Sequence, residues 1–113
     1  MQVNLEEQAG ITIVVAEGRL DFAAAQSFQG HVESAIASAS KGVVIDVAPL
    51  EYVSSAGLRA FLVGSKAAKA KGIGFAVCNL RPEVQEVFDL TGFGKVVGVH
   101  ADRAAAVAAV SGA

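Results

Sequence analysis

Two adjacent serines, Ser54 and Ser55, stand where a predicted strand gives way to a predicted helix. The apolar run Val43–Val47 leads toward them, and an amphipathic segment over residues 56–70 leads away. The first turn of a helix has N–H groups without partners and carries about half a positive charge. A hydroxyl at this point can cap the helix, act as a nucleophile or accept a phosphate.

Nucleophilic catalysis needs a base that takes the hydroxyl proton and donors that hold an oxyanion. The elbow pattern G-x-S-x-G is incomplete around Ser55, because Val53 replaces its first glycine although Gly57 fits the second. The two histidines, His31 and His100, are isolated from each other and from the serines in the sequence. We therefore expect no catalytic residues and a protein that is not an enzyme. A small serine hydrolase is the alternative, which a fluorophosphonate label on either serine would reveal.

Motifs for metals and nucleotides are missing. The lone Cys78 excludes a multi-cysteine metal site and an internal disulfide framework, and the acidic residues are scattered. The glycines near Gly57, Gly72 and Gly92 match neither the P-loop nor the dinucleotide fingerprint, so we interpret them as turns and caps. We expect no metal and no cofactor, with an anion-binding helix N-terminus as a further alternative.

Length and composition indicate one globular domain over residues 1–113, with 53% hydrophobic residues and a formal net charge of −2. The negative charge argues against nucleic-acid binding. The chain has no apolar run near the roughly 20 residues of a membrane span and no signal-peptide pattern at its start. We expect a cytoplasmic protein without membrane association.

Positive charge is concentrated in the middle of the chain. Residues 52–82 contain no acidic residue and five basic ones, namely Arg59, Lys66, Lys69, Lys71 and Arg81. Either these side chains form a solvated helix face near a helix C-terminus, or they form a docking surface for an acidic partner or for phosphates.

The hydrophobic pattern alternates strands and helices, which is typical of a largely parallel sheet with crossover helices. Pro49 and the Gly18 region are expected to end strands, and Asp21 to cap the first helix. The predicted strands are Val3–Leu5, Ile11–Ala16, Val43–Val47, Ile73–Val77 and Lys95–Val99. The predicted helices cover residues 23–38, 56–70, 82–91 and 103–110, with Phe61, Phe88 and Phe93 in the core.

As a phosphate acceptor, a serine at a helix entry would gain about −1.5 to −2 charges without unfolding the domain, because the helix N–H groups and dipole face that charge. Such a change suits a binding switch in which the fold is kept and the preferred partner changes. The competing interpretation is that one of the two serines only caps the helix.

Several motifs along the chain resemble those of one family. Residues 44–47 and 50–58 resemble the core signature of the STAS domain, which anti-anti-sigma factors (anti-sigma factor antagonists) share. Residues 18–21 resemble the family's G-x-L-D turn, residues 71–74 its glycine-bearing turn, and residues 82–93 its penultimate helix and T/S-G turn. The resemblance covers almost the whole chain in the right order.

This resemblance implies an α/β, STAS-like fold, with a small mixed, mostly parallel sheet of four to five strands and four helices mainly on one face. It also implies a partner switch. The unmodified protein would bind a serine-kinase anti-sigma factor of the histidine-kinase-like ATPase class. Phosphorylation of the motif serine would end that complex, and a metal-dependent serine phosphatase would restore it.

Carried onto this chain, the acceptor is Ser55. Many family members have Asp at the preceding position, where this chain has Ser54, so Ser54 is a second and less favoured acceptor. Asp21 and Asp46 either position this loop or act as a helix cap and a strand-end acceptor. The predicted partner-binding residues are Asp21, Ser54, Ser55, Ala56, Gly57, Leu58, Arg59 and Lys66. The alternative within the same family is an accessory or scaffold subunit of a transport or signalling assembly that is never phosphorylated.

Overall fold

The computed structural model of the chain describes residues 1–111. Its strands are β1 (Gln2–Gln8), β2 (Ile11–Leu20), β3 (Gly42–Asp46), β4 (Leu50–Val53), β5 (Gly74–Cys78) and β6 (Gly98–His100). Its helices are α1 (Phe22–Ser38), α2 (Ser55–Lys71), α3 (Pro82–Thr91) and α4 (Arg103–Ser111), with a 3₁₀ turn over Phe93–Lys95.

The sheet has the order β1-β2-β3-β5-β6, and β4 pairs with β2 outside this path. β1 and β2 form an antiparallel hairpin in which Gln8 pairs with Ile11. Ala9 and Gly10 between them both have positive φ, as a type I′ turn requires. The remaining pairings are parallel, and the chain that connects the two strands of each pair contains a helix. The predicted mixed and mostly parallel sheet with four helices is thereby confirmed.

The second strand is longer than predicted, and β4 was not predicted. Gly18, with φ +99°, does not end β2; the register shifts there, and the strand continues to Leu20. That extension pairs with β4, which begins directly after Pro49, whose carbonyl accepts a hydrogen bond from Gly18 N at 3.0 Å. Both errors have one cause: the short β4 is stable as a strand only because β2 pairs with it.

A large hydrophobic core lies between one face of the sheet and the helices α1, α2 and α3. Three of its rings are packed in sequence, with centroid distances of 5.2 Å from Phe28 to Phe61 and 5.5 Å from Phe61 to Phe88. Phe61 and Phe88 lie in the core as predicted, and Phe93, 6.3 Å from Phe88, is partly buried and packs against it. On the opposite face, α4 covers a smaller cluster with Ala106 and Val110.

The last strand begins later than predicted. Gly92 ends α3 with φ +73°, and the following residues form the 3₁₀ turn, so β6 covers Gly98–His100 rather than Lys95–Val99. Over residues 1–111, no helix combines the length and the apolar composition that crossing a bilayer requires.

Candidate functional site

The pairing of β2 with β4 places the starts of two helices side by side. Leu20 pairs with Val53, and the N–H of Ser54 donates to the carbonyl of Leu20 at 2.8 Å. The next residues, Asp21 and Ser54, are the N-caps of α1 and α2, and both have extended backbone. Because the strands are parallel neighbours, both helix N-termini lie at the carboxyl edge of the sheet.

The two serines have different environments. The hydroxyl of Ser54 accepts a hydrogen bond from Gly57 N at 3.1 Å, so it caps α2 and is half-buried. Ser55 is the first residue of the helix and is exposed to solvent. Capping and accessibility are therefore divided between them: Ser54 fills the structural role, and Ser55 is accessible from solvent.

Two residues of the predicted partner-binding set are interior. Gly57 is buried, and a Cβ added there would lie 2.6 Å from Leu20 Cγ, so glycine lets the first turn of α2 approach β2 closely. Leu58 is buried in the large core. Both residues face the sheet and hold the start of α2 in place, and their part in partner binding stays a prediction. Ala56 is half-buried beside Ser55.

The basic residues of the middle region separate into two groups. Arg59, Lys66 and Lys69 are exposed along α2, and the salt bridges found among residues 1–111 involve none of them. Lys71 instead donates to three carbonyls at the end of α1, those of Ile36, Ala37 and Ala39, at 2.7, 2.8 and 2.9 Å. Arg81 donates to the Ala48 carbonyl at 2.8 Å. The last two cations are therefore structural, and the first three are free to meet a partner.

The two aspartates that were candidates for positioning the loop serve as acceptors within the fold. Asp21 caps α1 by accepting from Ala24 N at 2.9 Å. Asp46, only 5% exposed, lies at the end of β3 and accepts from Ala48 N, from Asn79 Nδ2 and from Arg103. The capping and strand-end interpretation therefore describes both residues.

Arg103 was missed by the sequence reasoning. Its guanidinium bonds Asp46 through Nε and Nη2 at 3.1 and 2.9 Å, and reaches Glu6 at 3.1 Å. The hydrogen bond to Asp46 raises the pKa of Arg103, so this guanidinium remains charged at neutral pH. The one sequence signal for Arg103 was its position directly after Asp102, the predicted cap of the last helix. The ion pair of Arg103 and Asp46 holds α4 against the sheet, and neither residue is hydrogen-bonded to Ser54 or Ser55.

The two histidines lie away from the serine pair in the part of the chain that the structure describes. His31 lies nine residues into α1, about 14 Å along the axis from the start of that helix, and His100 ends the edge strand β6. Within residues 1–111, no three His, Cys, Asp or Glu side chains come together as a candidate metal site. Burial, with a smaller contribution from Asp46, raises the pKa of the Cys78 thiol to about 12, so this cysteine is a protonated core residue at neutral pH.

Two aromatic residues near the serines were also missed. Phe22, the first residue of α1, is 83% exposed. Tyr52 in β4 is stacked by Arg19, whose guanidinium carbon lies 4.4 Å from the ring centroid. The one sequence signal for Phe22 was its position directly after a predicted cap and outside the apolar stripe of α1.

The fold corresponds to a known class of protein. The family model of the STAS domain matches residues 2–106, and the chain belongs to this family. It is 31% identical over 109 residues to a protein of Bordetella bronchiseptica named "Putative anti-sigma factor antagonist BtrV", covering 96% of this chain and 94% of that protein.

Solved structures share the whole fold. An anti-sigma factor antagonist from Mycobacterium paratuberculosis superimposes with a TM-score of 0.88 at 23% identity, over 96% of this chain and 92% of that one. The anti-sigma factor antagonist SpoIIAA in its unphosphorylated form gives a TM-score of 0.80 at 22% identity, over 99% and 98% of the two chains. SpoIIAA from Bacillus in the phosphorylated form gives 0.69 at 20% identity, over 92% and 96%.

Proposed function

We propose that this protein is an anti-sigma factor antagonist that works as a non-enzymatic, single-domain partner switch controlled by phosphorylation of Ser55. The main support for the proposal is that the two serines at the start of α2 have different structural roles. The hydroxyl of Ser54 is occupied by the helix cap, whereas that of Ser55 is exposed one residue later. The names of relatives add support, since BtrV carries the name of an antagonist and SpoIIAA has a phosphorylated form.

The position of Ser55 explains why a phosphate would leave the fold intact. The N-terminal turn of α2 offers partial positive charge, and the Ser55 side chain takes no part in the core. Arg59 lies four residues further along, on the same face of the helix and exposed. We expect the phosphate to attract Arg59, so phosphorylation adds negative charge and also draws a cation away from the docking surface.

In the unmodified state, the partner is a serine-kinase anti-sigma factor of the histidine-kinase-like ATPase class. Ser55, Arg59 and Lys66 supply the exposed part of the docking surface, and Asp21 borders it at the neighbouring helix start. Phosphate on Ser55 places a dianion in a contact made for a neutral hydroxyl, which releases the kinase. A metal-dependent serine phosphatase regenerates the binding form.

The test is incubation of the purified chain with candidate kinases of this class and ATP, followed by intact-mass and peptide mass spectrometry. We expect one phosphoryl group on Ser55, none on Ser55→Ala, and continued phosphorylation of Ser54→Ala, the matched control. Ser55→Ala should bind the kinase persistently, and Ser55→Glu weakly. If neither Ser55 substitution changes binding of the kinase, the mechanism is wrong. Co-purification with a transport assembly and without phosphate on any serine would favour the accessory-subunit alternative.

A further inference from the structure

We infer that Phe22 is the apolar anchor of the docking surface and inserts into an apolar pocket on the kinase, beside acidic groups that meet α2. The inference rests on the proposed function, because it names how the partner of that same surface is held. It assigns a role to a residue outside the motif that carries the serines.

The fold makes little use of the Phe22 side chain. It is the first residue of α1, follows the cap Asp21, and is 83% exposed. The buried residues of α1 are Ala25, Phe28, Val32, Ala35 and Ile36, a stripe that leaves Phe22 outside. Phenylalanine is also only a moderate helix former. Neither packing nor helix formation accounts for an aromatic side chain here.

The location of Phe22 distinguishes it from Leu90, an apolar side chain of similar exposure. Phe22 and Ser55 are the first residues of neighbouring helices whose caps follow the paired residues Leu20 and Val53. Adjacent packed helices lie about 8–10 Å apart, so a partner that encloses the Phe22 ring also covers the Ser55 hydroxyl. Leu90, 80% exposed, lies in the last turn of α3, about 12 Å along the helix from the edge where these helices begin.

Charge identifies the kind of partner. The exposed cations of α2, Arg59 and Lys66, continue away from Ser55 along one face of the helix, and no acidic residue occurs between positions 52 and 82. A complementary surface therefore has a hydrophobic pocket for the ring and carboxylates along its rim. Aromatic side chains that fill a pocket at the centre of an interface dominate binding, while rim charges mainly set the association rate.

In this arrangement the partner covers the anchor, Phe22, and the phosphorylated residue, Ser55, with the same surface. When Phe22 is seated, water is excluded around Ser55, and a phosphate there must be desolvated or expelled. It also makes Phe22 a specificity determinant, because a kinase that lacks the pocket leaves a large ring in solvent.

The test measures binding kinetics of the full chain, by surface plasmon resonance, to a panel of purified kinases of this class from the genome that encodes the chain. Phe22→Ser and Phe22→Ala should raise Kd about 10- to 100-fold, mainly through faster dissociation. Leu90→Ser, which removes a similarly exposed apolar side chain, should leave Kd within about twofold. Circular dichroism should show native helix content and an unchanged melting temperature for each variant, since none of these side chains is buried.

The outcomes separate the anchor from the switch. Binding that Phe22→Ser leaves unchanged, or that Leu90→Ser weakens equally, overturns the anchor. Binding that Ser55→Glu leaves unchanged overturns the switch, while a loss in Phe22→Ser still supports the anchor. If the wild-type chain binds no kinase of the panel, both fail. If light scattering shows a dimer that Phe22→Ser converts to a monomer, the surface belongs to a second copy of this chain and the kinase assignment is wrong.

Discussion

Replacing each of the two serines by alanine should have different effects on the stability of the domain. Ser54→Ala removes the acceptor for Gly57 N, a hydrogen bond of 3.1 Å, and leaves the first turn of α2 without its side-chain cap. Loss of a serine cap costs about 1 kcal/mol. For a domain of 113 residues this corresponds to a fall of about 4 °C in Tm. Ser55→Ala removes an exposed hydroxyl and should change Tm by less than about 2 °C.

A third variant distinguishes the effect of the capping hydrogen bond from the effect of a negative charge at the helix N-terminus. Ser54→Asp keeps an acceptor at the cap position and adds a negative charge at the helix N-terminus, which is favourable by about 0.3–1 kcal/mol at low salt. Its Tm should equal or exceed that of the wild type in dilute buffer, and the excess should shrink as salt is added. The deficit of Ser54→Ala should persist at high salt, because a hydrogen bond between neutral groups is not screened.

Differential scanning calorimetry of the three variants at neutral pH, with and without added salt, provides the measurement. Phosphorylation assays on the same samples add a second readout, in which only Ser55→Ala should lose the modification. Equal destabilisation by Ser54→Ala and Ser55→Ala would refute the reasoning, because the Ser55 hydroxyl would then have a structural partner. An unaltered Tm for Ser54→Ala would show that its hydroxyl is not the cap of α2.

Three further predictions concern the scaffold that holds the site. Asp46→Asn should destabilise the domain by about 3 kcal/mol in urea unfolding, at the lower end for a broken buried pair because the Arg103 side chain is 34% exposed; a loss below about 1 kcal/mol would contradict the assigned network. Lys71→Met, which removes the ammonium from the carbonyls ending α1, should cost about 1 kcal/mol and leave phosphorylation of the chain unchanged. Because the pKa of Cys78 is about 12 in the fold against an ordinary 9.0, folding favours the thiol; this contribution is complete below pH 9 and is lost as the pH rises toward 12. Urea unfolding of wild type and Cys78→Ala between pH 8 and 11 should therefore show a steeper alkaline loss for the wild type, and parallel curves would contradict a buried thiol.

Local patterns sufficed for most of the architecture. Hydrophobic periodicity and caps act over a few residues, and they predict the order of the elements after β2 apart from β4. They also predict the cap at Asp21, the burial of Phe61 and Phe88 and the glycine end of α2 at Gly72. They do not predict the extension of β2 past Gly18 or the existence of β4, because pairing between strands distant in sequence decides both.

Hydrophobic periodicity along the chain was enough to predict the parallel architecture and a helix entry at the serine pair, and the motifs indicated the family by resemblance. The roles of the individual serines and basic residues depend on tertiary contacts. Those contacts assign the cap to Ser54 and exposure to Ser55, direct Lys71 toward the end of α1, and make neighbours of the two helix starts that carry Phe22 and Ser55. The physical reason is that burial, hydrogen-bond partners and adjacency arise from contacts between β2, β4 and two helices, and neighbouring residues of similar type are equivalent until those contacts form.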